Sequence, residues 1–100
     1  MGFVLIEKVL AGAGPEPLTA TSKTGASAIV QAKRGNSNLC QIGPSSTLAS
    51  GKGLELVAPA AGVQLPAIAI QASGQNCLEL HDWYITGTQG EGVNIVLEEF

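Results

Sequence analysis

Leu80-His81-Asp82-Trp83-Tyr84-Ile85-Thr86-Gly87-Thr88-Gln89-Gly90-Glu91-Gly92-Val93-Asn94-Ile95-Val96-Leu97 is the stretch whose reading decides the fold. Two runs rich in apolar and β-branched residues, Trp83 to Thr86 and Val93 to Leu97, flank a loop that holds three glycines. Such side chains fit a pleated surface and glycine supplies the positive φ of a reversing chain, so the pattern predicts a β-hairpin, with Gly92 taking positive φ at the strand entrance. In the return strand Val93, Ile95 and Leu97 share one face and Asn94 and Glu98 the other, which predicts a core side and a partly wet side. With its large apolar residues close together in sequence, this hairpin is the expected centre of stability. The pattern places no catalytic group.

Working outward, the in-out phase breaks just upstream. Leu78 and Leu80 are even-numbered and Trp83 and Ile85 odd, which a turn or bulge at His81-Asp82 would reconcile. Before it, Cys77 to Leu80 and Ala67 to Ala72 read as strands separated by a turn at Ser73-Gly74-Gln75-Asn76. Pro66 confines the latter strand to an edge or a bulge. Leu54 to Val57 is a further strand, bounded by Pro59-Ala60-Ala61-Gly62 on one side and a polar loop, Ser45 to Gly53, on the other. Leu39 to Ile42 stops at Gly43-Pro44, and Ser27 to Lys33 ends in the turn residues Arg34-Gly35-Asn36-Ser37-Asn38. Leu18 to Ser22 reads as a short strand with a turn at Lys23-Thr24-Gly25, and Phe3 to Leu10 as the first strand.

Short strands with turn signals about every ten residues, and no capped helical period, predict an all-β fold: a small antiparallel β-sandwich or barrel of about seven strands, closed by the C-terminal hairpin. One hundred residues make a single domain. Within it, two prolines and two glycines between Gly12 and Pro17 set residues 1–17 apart as an N-terminal strand or arm, decoupled from a sandwich over residues 18–100.

Charged residues are only 13% of the chain against hydrophobic residues at 45%. A usual charged share is about 25%, so this composition points to surface covered by other chains, and a homo-oligomer is expected. The net charge is −3, and the adjacent pair Lys33-Arg34 reads as a solvated strand end. Direct nucleic-acid binding is not expected, because phosphate contacts need a positive surface. Cys40 and Cys77 have neither the spacing nor the histidines of a zinc site, so no metal or cofactor is expected. They read as reduced core thiols, with a disulfide as the alternative. Glu7 and Lys8 interrupt the first apolar run, which therefore resembles neither a signal peptide nor a membrane span, and folding in a cytosol is expected.

The candidate chemistry is sparse. His81-Asp82 has the residue types of a general base and its orienting carboxylate, but neighbours on a strand face opposite ways, and Asp82 reads better as a turn cap. Gly87 to Gly92 contains a GxG that leads into a strand, whereas a phosphate cradle leads into a helix. Trp83 and Tyr84 cannot share one face as a sugar-stacking platform, so Trp83 reads as core or interface. Glu91, Glu98 and Glu99 lack the spacing of a calcium loop.

Taken together, Ile42-Gly43-Pro44-Ser45-Ser46-Thr47-Leu48 with Gly51 and Leu54, then Pro59 with Gly62, then Leu80 through Val93, resemble small virion proteins of tailed bacteriophages. There an IG-x-S-x-V segment precedes a Gly and a PG turn, and the chain closes with L-x-x-[IVW]-Y-[VI]-x-G-T-x-G-[DE]-G-V. The resemblance spans roughly Leu39 to Leu97, with Leu48 in place of the usual Val and Pro44 in place of the usual Gly. It implies a non-enzymatic virion structural protein assembled in the host cytoplasm. The type implied is a capsid decoration (cement) protein that binds the major capsid protein and stabilises the head. A connector, tail or fibre-associated domain is the alternative within the virion, and a carbohydrate-binding host-attachment module the alternative outside that class. The interface residues expected are Phe3, Leu5, Pro15, Pro17 and Trp83.

Overall fold

A computed structural model describes residues 2–44, 53–58, 65–71 and 77–99. Of the predicted loop Ser45 to Gly53, residues 45–52 lie outside the described residues, as do the break at residues 59–62 and the turn at residues 73–76. The described strands are β1 (Phe3–Val9), β2 (Glu16–Pro17), β3 (Thr24–Gly25), β4 (Ser27–Ala32), β5 (Cys40–Gly43), β6 (Leu54–Leu56), β7 (Ala67–Gln71), β8 (Leu78–Glu79), β9 (Tyr84–Thr86) and β10 (Gly92–Glu98). The protein is all-β; among the described residues every pairing is antiparallel and only the turn Leu80–Asp82 is helical, of the 3₁₀ type.

Two four-stranded sheets make the body. The first has the order β1-β10-β4-β7 and the second β2-β9-β5-β6, while β3 and β8 form a small separate pair. Paired residues of an antiparallel ladder share a face, so the registers define transverse rows. On the inner side of the first sheet run Val4-Leu97-Ala28-Ile70 and Ile6-Ile95-Val30-Ile68. From the second sheet Cys40, Ile42, Leu56 and Ile85 complete the same buried cluster, joined by Leu10, Leu18, Leu78 and Leu80. Each such fully buried aliphatic side chain contributes roughly 1.5–3 kcal/mol, so this shared interior holds the sheets together.

The predicted closing hairpin does not form. β9 belongs to the second sheet and β10 lies at the centre of the first, between β1 and β4. The loop between them is pinned to the chain that follows β1. The Gly87 N–H donates to the Ala13 carbonyl at 3.0 Å, the Gly90 N–H to Leu10 at 2.9 Å, and the Leu10 N–H to Glu91 at 2.8 Å. Ile85 and the trio Val93, Ile95 and Leu97 thus enter one core from two sheets, which buries all four more completely than one hairpin face would. Gly92 does not have positive φ. It is required for another reason: a Cβ there would lie 1.9 Å from the Lys8 carbonyl oxygen.

Other expectations also change. Leu18 to Ser22 is not a strand, and Thr24–Gly25, predicted as a turn, is β3. Leu18 is instead a core residue, tied by its N–H to the Trp83 carbonyl at 2.8 Å. Residues 1–17 are no detached arm. β1 pairs with β10 from Phe3 to Val9, Leu10 is buried, and the ion pair Lys8–Glu16 closes over the connection at 2.9 Å. Both cysteines are free, but only Cys40 is buried; Cys77 is exposed. The phase break at His81-Asp82 is the 3₁₀ turn, capped not by Asp82 but by Glu79, whose carboxylate accepts the His81 N–H at 3.0 Å. β7 follows Pro66 directly and is, among the described strands, at the edge of its sheet, while Pro66 itself turns toward β4 and its carbonyl accepts the Ala32 N–H at 3.0 Å.

Candidate interaction surface

The outer face of the first sheet is built from the residues between the core-facing ones. One row crosses all four strands as Leu5-Val96-Ile29-Ala69. Every member is apolar and open to solvent, with Leu5 76%, Ile29 52% and Val96 39% exposed. On one side the next row is Phe3-Glu98-Ser27-Gln71, and on the other Glu7-Asn94-Gln31-Ala67. Phe3, 72% exposed, extends the apolar strip along β1.

The charges beside the strip are already engaged. The Ser27 hydroxyl donates to the Glu98 carboxylate at 2.9 Å, and Glu7 pairs with the Lys33 ammonium. The strip is therefore apolar in the middle and polar at its borders, where Glu7 has a cationic partner and Glu98 keeps its charge under a hydroxyl hydrogen bond.

The five residues singled out from the sequence separate into two groups. Phe3 and Leu5 stand on this outer face. Pro15 is exposed in the connection after β1, Pro17 in β2 pairs with Tyr84 of β9, and Trp83 packs half-buried against the core. Val96, Ile29 and Ala69 were not singled out. Their signal was present: Val96 shares the phase of Asn94 and Glu98, and Ile29 that of Ser27 and Gln31, so each is an apolar residue on a strand's polar side.

Several other polar groups serve the architecture. The His81 Nδ1–H donates to the Thr19 carbonyl at 2.9 Å, which holds the ring on backbone rather than on Asp82. Glu79 accepts the Ser22 hydroxyl and the Lys23 N–H, and the Ser22 bond is the main cause of a carboxyl pKa below its ordinary 4.5. Glu16 is lowered likewise, first by the Lys8 ammonium and then by the Ala11 N–H. Glu91 accepts the N–H groups of Ser37 and Asn38 at 2.9 and 3.1 Å. The buried Asn36 holds Gly92 from both sides, its amide donating to the carbonyl at 2.8 Å and its oxygen accepting the N–H at 3.1 Å. Burial pushes the Cys40 thiol up, and the nearby Glu91 adds to it, so this sulfur stays protonated. Among the described residues no three His, Cys, Asp or Glu side chains gather as metal ligands. Comparison with protein-family models, with characterised proteins and with solved structures returns no match to the chain.

Proposed function

We propose that this chain is a virion structural protein of a tailed bacteriophage, of the capsid decoration (cement) type, and that it docks on the major capsid protein through the outer face of its first sheet. The observation that carries this reading is the row Leu5-Val96-Ile29-Ala69, an apolar band across four strands with polar borders. Burial of such a band against a complementary apolar surface releases its water, at about 25 cal/mol per Å². The resemblance of Ile42 to Leu54 and Leu80 to Val93 to virion proteins supplies the setting: a host cytoplasm in which heads assemble. No nucleic acid, membrane or cofactor enters this role, and the role is not enzymatic.

The test is co-sedimentation of the purified chain with DNA-filled and empty heads of the phage that encodes it. Stoichiometric binding is expected, and Ile29→Glu is expected to abolish it without altering the thermal transition, because Ile29 lies outside the core. Failure to bind either head form, or undiminished binding by Ile29→Glu, would overturn the proposal. A sugar-binding reading rested on an open Trp83, and the packing of Trp83 against the core removes that support.

A further inference from the structure

β1 is the outermost strand of the first sheet, so among the described residues one of its edges faces no other strand. Its hydrogen-bonding parity follows from the two ends of its ladder. The Glu99 N–H donates to the Gly2 carbonyl at 2.8 Å, and the Leu10 N–H to the Glu91 carbonyl at 2.8 Å. Bonded and non-bonded pairs alternate along an antiparallel ladder. Val4, Ile6 and Lys8 therefore spend their backbone groups on β10, while Phe3, Leu5, Glu7 and Val9 turn both N–H and C=O toward the open edge. These four residues also carry the exposed side chains of the strand, and three of the four are apolar. Natural edges are blunted by proline, bulges or charges; this one is seven residues long and has no proline. Its one inward-pointing charge, Lys8, is taken up by Glu16.

We propose that β1 pairs antiparallel with β1 of a second copy of this chain, about a two-fold axis at Ile6, so that two first sheets join into one of eight strands. Charge and fit select this register. Only odd-numbered residues offer backbone groups to the edge, so the axis must pass through a residue position. At Glu7 it would set two carboxylates opposite each other. At Leu5 it would leave Val9 outside the ladder. At Ile6 the whole of β1 is used: Phe3 lies opposite Val9 of the second copy, Leu5 opposite its Glu7, and the two Ile6 side chains meet. Glu7 arrives already neutralised by Lys33. The half-exposed Val4 and Ile6, on the core side of an edge strand, gain the cover they lack in one chain. The pairing does not depend on what the outer face binds. It would set the two apolar strips side by side, offset by two residues.

An edge pair of this length buries on the order of 1,000 Å² in total, the lower bound of a specific interface, so dissociation in the micromolar range is expected. Sedimentation velocity on the full chain from roughly 1 μM to 500 μM should show the mass double within that range. Over the same span, amide exchange at Phe3, Leu5, Glu7 and Val9 should slow at least about tenfold, while Val4, Ile6 and Lys8 stay protected throughout. Leu5→Pro deletes an outward N–H and no bond to β10, so it is expected to keep the fold and abolish the dimer. If Leu5→Pro does not fold, Leu5→Lys, a charge on the same edge, carries the same expectation. A monomer at every concentration would overturn the proposal. So would a dimer whose odd-numbered β1 amides exchange as fast as in the monomer, since that dimer would form through another surface.

Discussion

The first sheet is held by ladders of seven, six and five consecutive residue pairs, whereas the second is assembled from strands of two, three, four and three residues. The difference shows in what the side chains are free to do. Where the backbone ladder is long, side chains are not needed to satisfy backbone donors, and the outer face of β1, β10 and β4 can carry Leu5, Val96 and Ile29. Around the short strands the connections use carboxylates and an amide as staples. Glu16 takes the N–H groups of Ala11 and Gly12, Glu79 those of Lys23 and His81, Glu91 those of Ser37 and Asn38, and Asn36 binds Gly92. The chain has eight acidic residues. Three of them are thus committed to loop backbone, so its small charged content is even less available for covering surface than the composition implies.

The contrast can be broken where ladder and staple meet. Gly92 pairs with Val9 in the ladder and is gripped by Asn36. Gly92→Ala would drive a methyl into the Lys8 carbonyl and force β1 from β10, with an expected loss of at least about 3 kcal/mol in urea melts. Asn36→Ala removes only the staple and leaves the buried Gly92 N–H without its acceptor; about 2 kcal/mol is expected from the same melts, with β1 exchange protection retained. A destabilisation by Asn36→Ala as large as that of Gly92→Ala would show that the staple, not the ladder, carries this junction.

Acid offers a gentler separation. Glu16 and Glu79 have folded pKa values below the ordinary 4.5, so their stabilisation is complete above that pH and is lost as pH falls through the lowered values. As pH falls below 4.5, hydrogen-exchange protection relative to the intrinsic rate is expected to be lost first at Ala11, Gly12, Lys23 and His81, while β10 and β4 remain protected. Simultaneous loss everywhere would mean that the two regions are one cooperative unit. The smallest effect is expected at the outer face. Ile29→Thr, half-exposed and β-branched before and after, should change stability by less than about 0.5 kcal/mol.

Strand positions were legible because they depend on local signals. Ser27 to Lys33, Leu39 to Ile42, Leu54 to Val57 and Ala67 to Ala72 each coincide with an observed strand to within one residue at either end, and Pro66 marks where β7 begins. Pairing was not legible. The glycine loop after Thr86 reads locally as a hairpin, but the partner that β10 takes is β1, at the other end of the sequence, because that strand can run beside all seven of its residues. The outer strip was half legible. Phe3 and Leu5 stood out in an apolar run, whereas Val96 and Ile29 became neighbours only once the registers joined three strands.

The central place of β10 also sets an order of events during synthesis. β1 and β4 flank it and do not pair with each other, so β1 waits for β10 to be made before it can join this sheet. On the ribosome, Phe3 to Val9 therefore stays an unpaired apolar segment while most of the chain is translated, at roughly 5–20 residues per second. The contacts that finish the first sheet are long-range, which places folding toward the slower end for a chain of this size. Chaperone demand should therefore peak before β10 leaves the exit tunnel and fall once it has closed against β1.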